Sequence, residues 1–503
     1  MEESCHDLLF KWCLDQGASM GPWMVNQQNS NIHTRAVYAK SFIPKNTQMC
    51  FIPSNILLSE SVAMNSDIGK LIVDHVKTNQ IHTILAHDKY PHALEMVCMV
   101  VFIVHEHFEV ENSFWSPYLN SLPTIYNLPV CWPKDSIHQL LSGTALEFMT
   151  LERLKWIEEV VSIINTCVGH FFKNNSWNLE NFLWAYASIT SRAFPNATKK
   201  KSESDNSNNE MDWVTVSEIC LYPMLDMLNH KRNHKIEWKM NDNGVSFVAH
   251  EDVQMGDEIF NNYGPKGNEN LLGNYGFVLA DNPEDYVKLK MNVHQNDPLY
   301  DQRFAILKNH SISQFVMLFI DDTNLSEKLL NLTQVMVANE YEIEQINRNG
   351  LEAFSSHRNR FQCLIMLYQL IESKLNENLK GKKKMLKFKE RNDHFELAKV
   401  YREGQENILN HYLTMILKDL DTKFHLNEKS HGQYLVIGHP LNDSKFYTEL
   451  MKMYDAIPDE MDEDTMLTLT MVHERFSKTS KWASQLQESA MRFTDTEVQK
   501  VLG

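Results

Sequence analysis

Cysteine is scarce and scattered in this chain of 503 residues: its 8 cysteines stand at positions 5, 13, 50, 98, 131, 167, 220 and 363, with no C-x-x-C pair. That pattern excludes a disulfide-stapled small fold and a zinc knuckle, and it fits the reduced thiols of an intracellular protein. Glycine and proline are few, 17 and 15 residues, which excludes a collagen-like or low-complexity chain. The most apolar stretch, residues 96–104, is bounded by Glu95 and His105 and falls well short of the ~18 residues a bilayer span requires. It reads as a buried helix. The opening residues, MEESCHDLLFKWCLDQGA, lack the basic and then uninterrupted apolar regions of a secretory signal. Positive charge is in deficit, 48 basic against 65 acidic side chains, a net −17 that repels phosphate backbones and anionic lipid. A basic partner is expected, with no direct nucleic-acid binding and no membrane attachment. G-x-S-x-G, Walker and G-x-G-x-x-G motifs are absent, so serine hydrolases, P-loop enzymes and Rossmann dehydrogenases lose their markers.

What is present is an ordinary globular composition, 43% hydrophobic and 22% charged, long enough for two to four domains at roughly 100–200 residues each. Residues 36–58 carry apolar runs on both sides of the turn Pro44-Lys45-Asn46, a pattern for two short strands. From 63 to 185 apolar positions recur at three and four, as in LEFMTLERLKWIEEVVSII, which predicts a helical block. Alternation returns at Ile236, Trp238 and Met240 and, past an Asn-Asp-Asn-Gly turn, at Val245, Phe247 and Ala249: a hairpin. A further turn at Met255-Gly256-Asp257 leads into Glu258-Ile259-Phe260. Residues 196–209, NATKKKSESDNSNN, offer almost nothing to bury and read as a disordered surface loop. Beyond about 295 the spacing is helical to the end, as at Phe361, Leu364, Ile365, Tyr368 and Ile371.

Two segments stand out as places for chemistry. In LYPMLDMLNH, residues 221–230, an apolar run ends in Asp226, Asn229 and His230, and polar groups at the edge of a core need partners or a task. An Asn-His turn at the end of an element accounts for the same residues. The second, FNNYGPKGNENLLGNYGF at 260–277, combines glycines for special backbone angles with asparagines and tyrosines that present polar tips and ring faces. A long turn-rich loop is its plain alternative. His230 and His234 are four apart, a zinc-ligand spacing, but no Glu stands between them as in H-E-x-x-H, and no metal is expected.

Together these residues resemble a family. Asp226-Met227-Leu228-Asn229-His230, Tyr263-Gly264 with the following Gly267-Asn268-Glu269, Tyr275-Gly276-Phe277 and Ser191-Arg192-Ala193-Phe194 resemble the motifs of SET-domain protein methyltransferases of the Rubisco large-subunit lysine methyltransferase type. Phe114-Trp115-Ser116-Pro117-Tyr118-Leu119, Leu122-Pro123 and Leu141-Ser142-Gly143-Thr144 resemble signatures of that group's helical insert, and the motifs follow the family's order from about residue 10 to 285.

The resemblance implies an α+β chain: a SET fold of small β-sheets with a helical insert, followed by an all-α substrate-binding C-lobe. The expected segments are 1–62 and 186–290 for the SET fold, 63–185 for the insert and 291–503 for the C-lobe. It implies a protein-lysine N-methyltransferase that uses S-adenosyl-L-methionine, and no metal. Carried over by position, Tyr263 is the catalytic tyrosine. Asn229, His230, Arg192, Ala36, Val37, Tyr38, Tyr275, Gly276 and Phe277 are on the cosubstrate side, and Asp226 and Arg192 face the substrate. Thr34 and Ala36 stand where the family's first turn usually has glycines. In a histidine-modifying relative an asparagine follows the arginine matched by Arg192; this chain has Ala193, as lysine enzymes do. The wording of 260–269 is most similar to fungal members that modify ribosomal proteins or translation factors, and such a basic substrate, a monomeric enzyme and a cytoplasmic or nuclear setting are the expectation. A protein-histidine methyltransferase and a catalytically weak SET-fold interaction protein are the alternatives.

Overall fold

The computed structural model describes residues 4–27, 35–79, 93–173, 175–201, 213–241, 243–354 and 356–424. The chain divides into two compact units, Met1–Ala280 with Lys384–Tyr401, and Asp281–Lys383 with Arg402–Gly503.

The first unit is built from short strands and a block of helices. Its opening helix, Cys5–Asp15, starts on a capping box in which Ser4 and Asp7 satisfy each other's backbone N–H groups. A four-stranded antiparallel sheet follows in the order Ser19–Met20, Gln48–Pro53, Gly244–Ala249, Ile236–Asn241. The hairpin at 236–249 forms in the expected register, with Val245 opposite Met240 and Phe247 opposite Trp238. Arg35–Ala39 and Gln48–Pro53, the two strands expected around Pro44-Lys45-Asn46, do not pair with each other. The first joins Trp23–Gln27 and the second joins the four-stranded sheet.

Leu58–Ser59, Trp213–Leu221 and Phe194–Lys201 make a third sheet. Residues 196–201, expected as the start of a disordered loop, therefore lie in a strand. Its ladder with 213–218 is made by backbone groups, which pair without apolar side chains. The remainder of that segment, 202–209, lies outside the described residues.

The helical block contains Glu60–Asn65, Asp67–Asn79, Ala93–Phe108, Ala145–Val168 and Leu179–Arg192. Val97 to Val104 are all buried in Ala93–Phe108, which is therefore a core helix. Among the described residues no helix is long and apolar enough to cross a membrane.

In the second unit helices dominate: Tyr300–Asn309, Glu327–Val337, Glu340–Asn349, and parts of the long His357–Met385 and Asp393–Phe424. The face expected at Phe361, Leu364, Ile365, Tyr368 and Ile371 is buried there with Leu329, Leu332 and Ile416. An all-α composition is not what forms, because Phe315–Phe319 pairs antiparallel with Tyr286–Lys290. Val287, Leu289, Val316 and Leu318 point from that pair into the core.

Candidate active site

Three distant pieces of chain interlock in the first unit. Residues 257–261 run between two strands. On one side Ile259 N–H donates to the Val37 carbonyl at 2.7 Å and Ala39 N–H to the Asp257 carbonyl at 3.0 Å. On the other, Phe260–Asn261 pairs in parallel with Asn229–His230, Phe260 opposite Asn229 and Asn261 opposite His230. The Asn229 amide closes the crossing by donating to the Arg35 carbonyl and to Glu258 Oε1, both at 2.8 Å.

Tyr263 follows directly. Its backbone N–H donates to His230 Nδ1 at 3.0 Å and its hydroxyl to the Leu228 carbonyl at 2.8 Å. Because Nδ1 accepts, the proton of a neutral His230 sits on Nε2. Burial, aided by the Lys266 charge, lowers the imidazole's pKa and favours that neutral form. The Tyr263 ring stacks on His230 (centroids 5.1 Å apart) and on Tyr275 (5.0 Å), with Phe194 and Phe277 edge-on at 6.3 and 6.5 Å. Burial drives the Tyr263 phenol pKa far up, so its hydroxyl keeps its proton and serves as a hydrogen-bonding group. The sharp path at this point depends on Gly264, whose φ of 86° is left-handed and whose N–H is taken by Asn262 Oδ1.

A buried polar group flanks the rings. Arg192, the last residue of its helix, donates through one guanidinium nitrogen to the Asp226 carbonyl at 2.7 Å and to Asp226 Oδ2 at 3.4 Å. Tyr118 donates its hydroxyl to the same Oδ2 at 3.0 Å. Burial raises the Asp226 carboxyl pKa against the opposing pull of Arg192. Three buried polar atoms here have no hydrogen-bond partner: Arg192 Nε, Asp226 Oδ1 and Asn261 Nδ2. Unmet donors and an unmet acceptor in one buried region suit a ligand that carries both charges.

The expected site residues thus separate into groups. Tyr263, His230, Tyr275 and Phe277 share one ring cluster, and Asn229 and the Arg192–Asp226 pair border it through residues 226–230. Ala36 and Val37 lie within the strand Arg35–Ala39, with both side chains buried, while Tyr38 forms a bridge to Glu258. From that strand it is the Arg35 carbonyl that meets Asn229. Thr34 lies outside the described residues. Gly276 ends the helix Asn268–Tyr275 at φ 77°, a conformational role. Asp226 is spoken for by Arg192 and Tyr118, with only Oδ1 unused. Sequence reasoning missed Tyr118, Glu258, Asn261 and the carbonyl of Arg35. Tyr118 lay in the noted stretch 114–119, but nothing local announced its partner 108 residues away.

Residues 34–264 match the model of the SET domain family, and the fold is that of SET-domain structures. A ribosomal lysine N-methyltransferase of Schizosaccharomyces pombe is 30% identical over 335 residues, covering 64% of this chain and 58% of that protein. The actin-histidine N-methyltransferase of Homo sapiens is 25% identical over 346 residues, covering 67% and 53%. The chain therefore spans little more than half the length of these curated relatives. Among solved structures, Rubisco LSMT bound to AdoMet superimposes with a TM-score of 0.64 at 17% identity, covering 83% of this chain and 93% of that one. The SET domain of LSMT bound to lysine and AdoHcy gives 0.63 at 17% identity, covering 83% and 92%. At that identity the likeness is one of fold.

Proposed function

We propose that the chain is an S-adenosylmethionine-dependent protein-lysine N-methyltransferase whose substrate is a basic non-histone protein, a ribosomal protein or a translation factor. The observation that carries this reading is the half-buried Tyr263 hydroxyl. It is hydrogen-bonded to the Leu228 carbonyl next to Asn229 and His230 and walled by Phe194, Tyr275 and Phe277.

The residues present fit the cosubstrate. Arg192 Nε is an unmet donor and Asp226 Oδ1 an unmet acceptor, which match the carboxylate and ammonium of a methionyl end. Arg192, Asn229 and His230 would hold it, with Phe277 and the strand backbone at 36–38 alongside. Bound S-adenosylmethionine supplies an electrophilic methyl group on a sulfonium.

The chain's own part begins with the amine. A lysine ammonium, with an ordinary pKa near ~10.4, has no lone pair to attack with. Four aromatic rings around Tyr263 desolvate an entering side chain and favour its neutral form. Because the Tyr263 proton points to the Leu228 carbonyl, its oxygen lone pairs are left to accept an N–H of that amine, turning the nitrogen lone pair toward the donor. Orientation of this kind supplies about 7–11 kcal/mol in well-aligned reactions. Lysine is favoured over histidine by Ala193 after Arg192, and by the higher identity to the ribosomal lysine N-methyltransferase. The net charge of −17 steers a basic protein toward the enzyme.

The test is to incubate the protein with isotopically labelled S-adenosylmethionine and a lysate of cells lacking it, then locate the label by mass spectrometry. Label on a lysine of a ribosomal protein or translation factor is expected. Label on histidine, or none above a Tyr263→Phe control, rejects the reading.

A further inference from the structure

Tyr118 belongs to the short helix Ser116–Leu119, in the stretch between the helices Ala93–Phe108 and Ala145–Val168, and is fully buried. Its hydroxyl reaches across 108 residues of sequence to Asp226 Oδ2 at 3.0 Å. Asp226 is the middle residue of the single turn Leu225–Met227, and that turn leads straight into the Leu228 carbonyl that takes the Tyr263 hydroxyl.

The turn is entered through a bond from Asp226 N–H to the Tyr222 carbonyl at 3.1 Å, but it is weakly closed by its own backbone. Its bonds from Met227 N–H to the Met224 carbonyl and from Leu228 N–H to the Leu225 carbonyl are both 3.3 Å long. Met224, which precedes it, sits at φ 72° and ψ −45°, a conformation costly for any residue but glycine. A strained backbone persists only where its surroundings over-determine it. Here the side-chain restraints are those at Asp226: Arg192 on its carbonyl at 2.7 Å and on its Oδ2 at 3.4 Å, and Tyr118 on the same Oδ2 at 3.0 Å.

The same stretch makes a second tether. Ser121, whose hydroxyl donates to the Tyr118 carbonyl, offers its own carbonyl to the Arg35 guanidinium, and the Arg35 carbonyl receives Asn229. One corner of the helical insert is thereby bonded to both the Asp226 turn and the strand facing Asn229.

We infer that Tyr118 is a positioning residue: it pins the Asp226 turn so that the Leu228 carbonyl stays on the Tyr263 hydroxyl and Arg192 stays aimed by Asp226. The kinetic part of this inference rests on the methyltransferase reading; the structural part does not. In Tyr118→Phe the ring and its packing remain and one hydroxyl is lost.

Two readouts test it. Without donor or substrate, hydrogen exchange followed by mass spectrometry is expected to quicken about tenfold in peptides covering 222–230 and to stay unchanged in the hairpin 236–249. With donor and the identified substrate, kcat is expected to fall about tenfold while the KM for donor stays within threefold. Asp226→Asn, which removes the charged acceptor, is expected to reproduce the local exchange change, and the double variant to add little to either. Unchanged exchange at 222–230, or a rise spread evenly over the chain, overturns the inference. If the wild-type protein transfers no methyl group, the function is rejected and the exchange arm alone still decides for or against the pin.

Discussion

Substitution of Asn229 separates a clamp from a mere ligand contact. Its amide nitrogen donates at 2.8 Å to the Arg35 carbonyl and at 2.8 Å to Glu258 Oε1, so one side chain holds the strand 35–39 and the crossing segment together. A neutral bond of this kind contributes about 0.5–1.5 kcal/mol net and a bond to a charged group about 1.5–3 kcal/mol, so Asn229→Ala is expected to cost about 2–4 kcal/mol. Asn229→Asp keeps the shape but replaces the donor with a second carboxylate against Glu258. At roughly 4 Å in a protein-like dielectric, two like charges repel by about 4 kcal/mol, so the aspartate should be worse than the alanine at neutral pH. The sign with pH follows. A carboxylate pair forced together has one folded-state pKa raised above its unfolded value. Stability is therefore present at low pH and lost as pH rises through the raised value. Asn229→Asp should gain stability relative to wild type between about pH 8 and about pH 5, whereas Asn229→Ala should not. Urea denaturation of the three proteins across that range is the assay. An aspartate variant as stable as the alanine at neutral pH, or one that does not recover on acidification, refutes the clamp.

Other expectations are independent of that one. Lys266→Ala should raise the His230 pKa toward its ordinary value near ~6.5, read by NMR titration of the ring, because burial and the Lys266 charge both depress it. By the same sign, the stability His230 contributes is present above pH ~6.5 and lost as pH falls through its lowered folded value; Lys266→Ala should lessen that loss. Gly276→Ala should lower stability by about 2 kcal/mol or more in urea melts, since φ is 77° and a methyl there meets backbone atoms of Asn127 and Leu128 at 3.0 and 3.1 Å. A variant within 0.5 kcal/mol of wild type, about the usual effect of a neutral surface change, would show that the cap carries no such constraint.

How much of this was legible in the sequence depended on whether a feature is local. The hairpin at 236–249 was, because alternation and an Asn-rich turn with glycine specify register within a few residues. The buried helix Ala93–Phe108 was, since its apolar run exceeds what a surface helix presents. Phe315–Phe319 was not: five apolar residues in a row read equally as helix or strand. The alternation of buried Val316 and Leu318 with exposed Phe315, Met317 and Phe319 exists only once a partner strand is in place. Residues 196–201 failed for the opposite reason, a polar composition paired through backbone groups. At the site, the motif residues Tyr263, Asn229 and His230 were visible, but the bonds that set them were not. Arg35, Glu258 and Tyr118 reach the site from other segments, and the left-handed backbone at Met224 has no signature in a methionine.

In the proposed mechanism the Tyr263 hydroxyl aligns an uncharged lysine amine for transfer while the donor is held by other residues. Single-turnover methyl transfer by wild type and Tyr263→Phe, on the substrate found by labelling and with donor affinity measured by calorimetry, tests it most directly. Donor affinity within threefold and a transfer rate lowered by about 10²–10³, the usual effect of removing one aligned hydrogen-bonding group from a buried reaction site, is the expected result. Equal rates in the two proteins would contradict it.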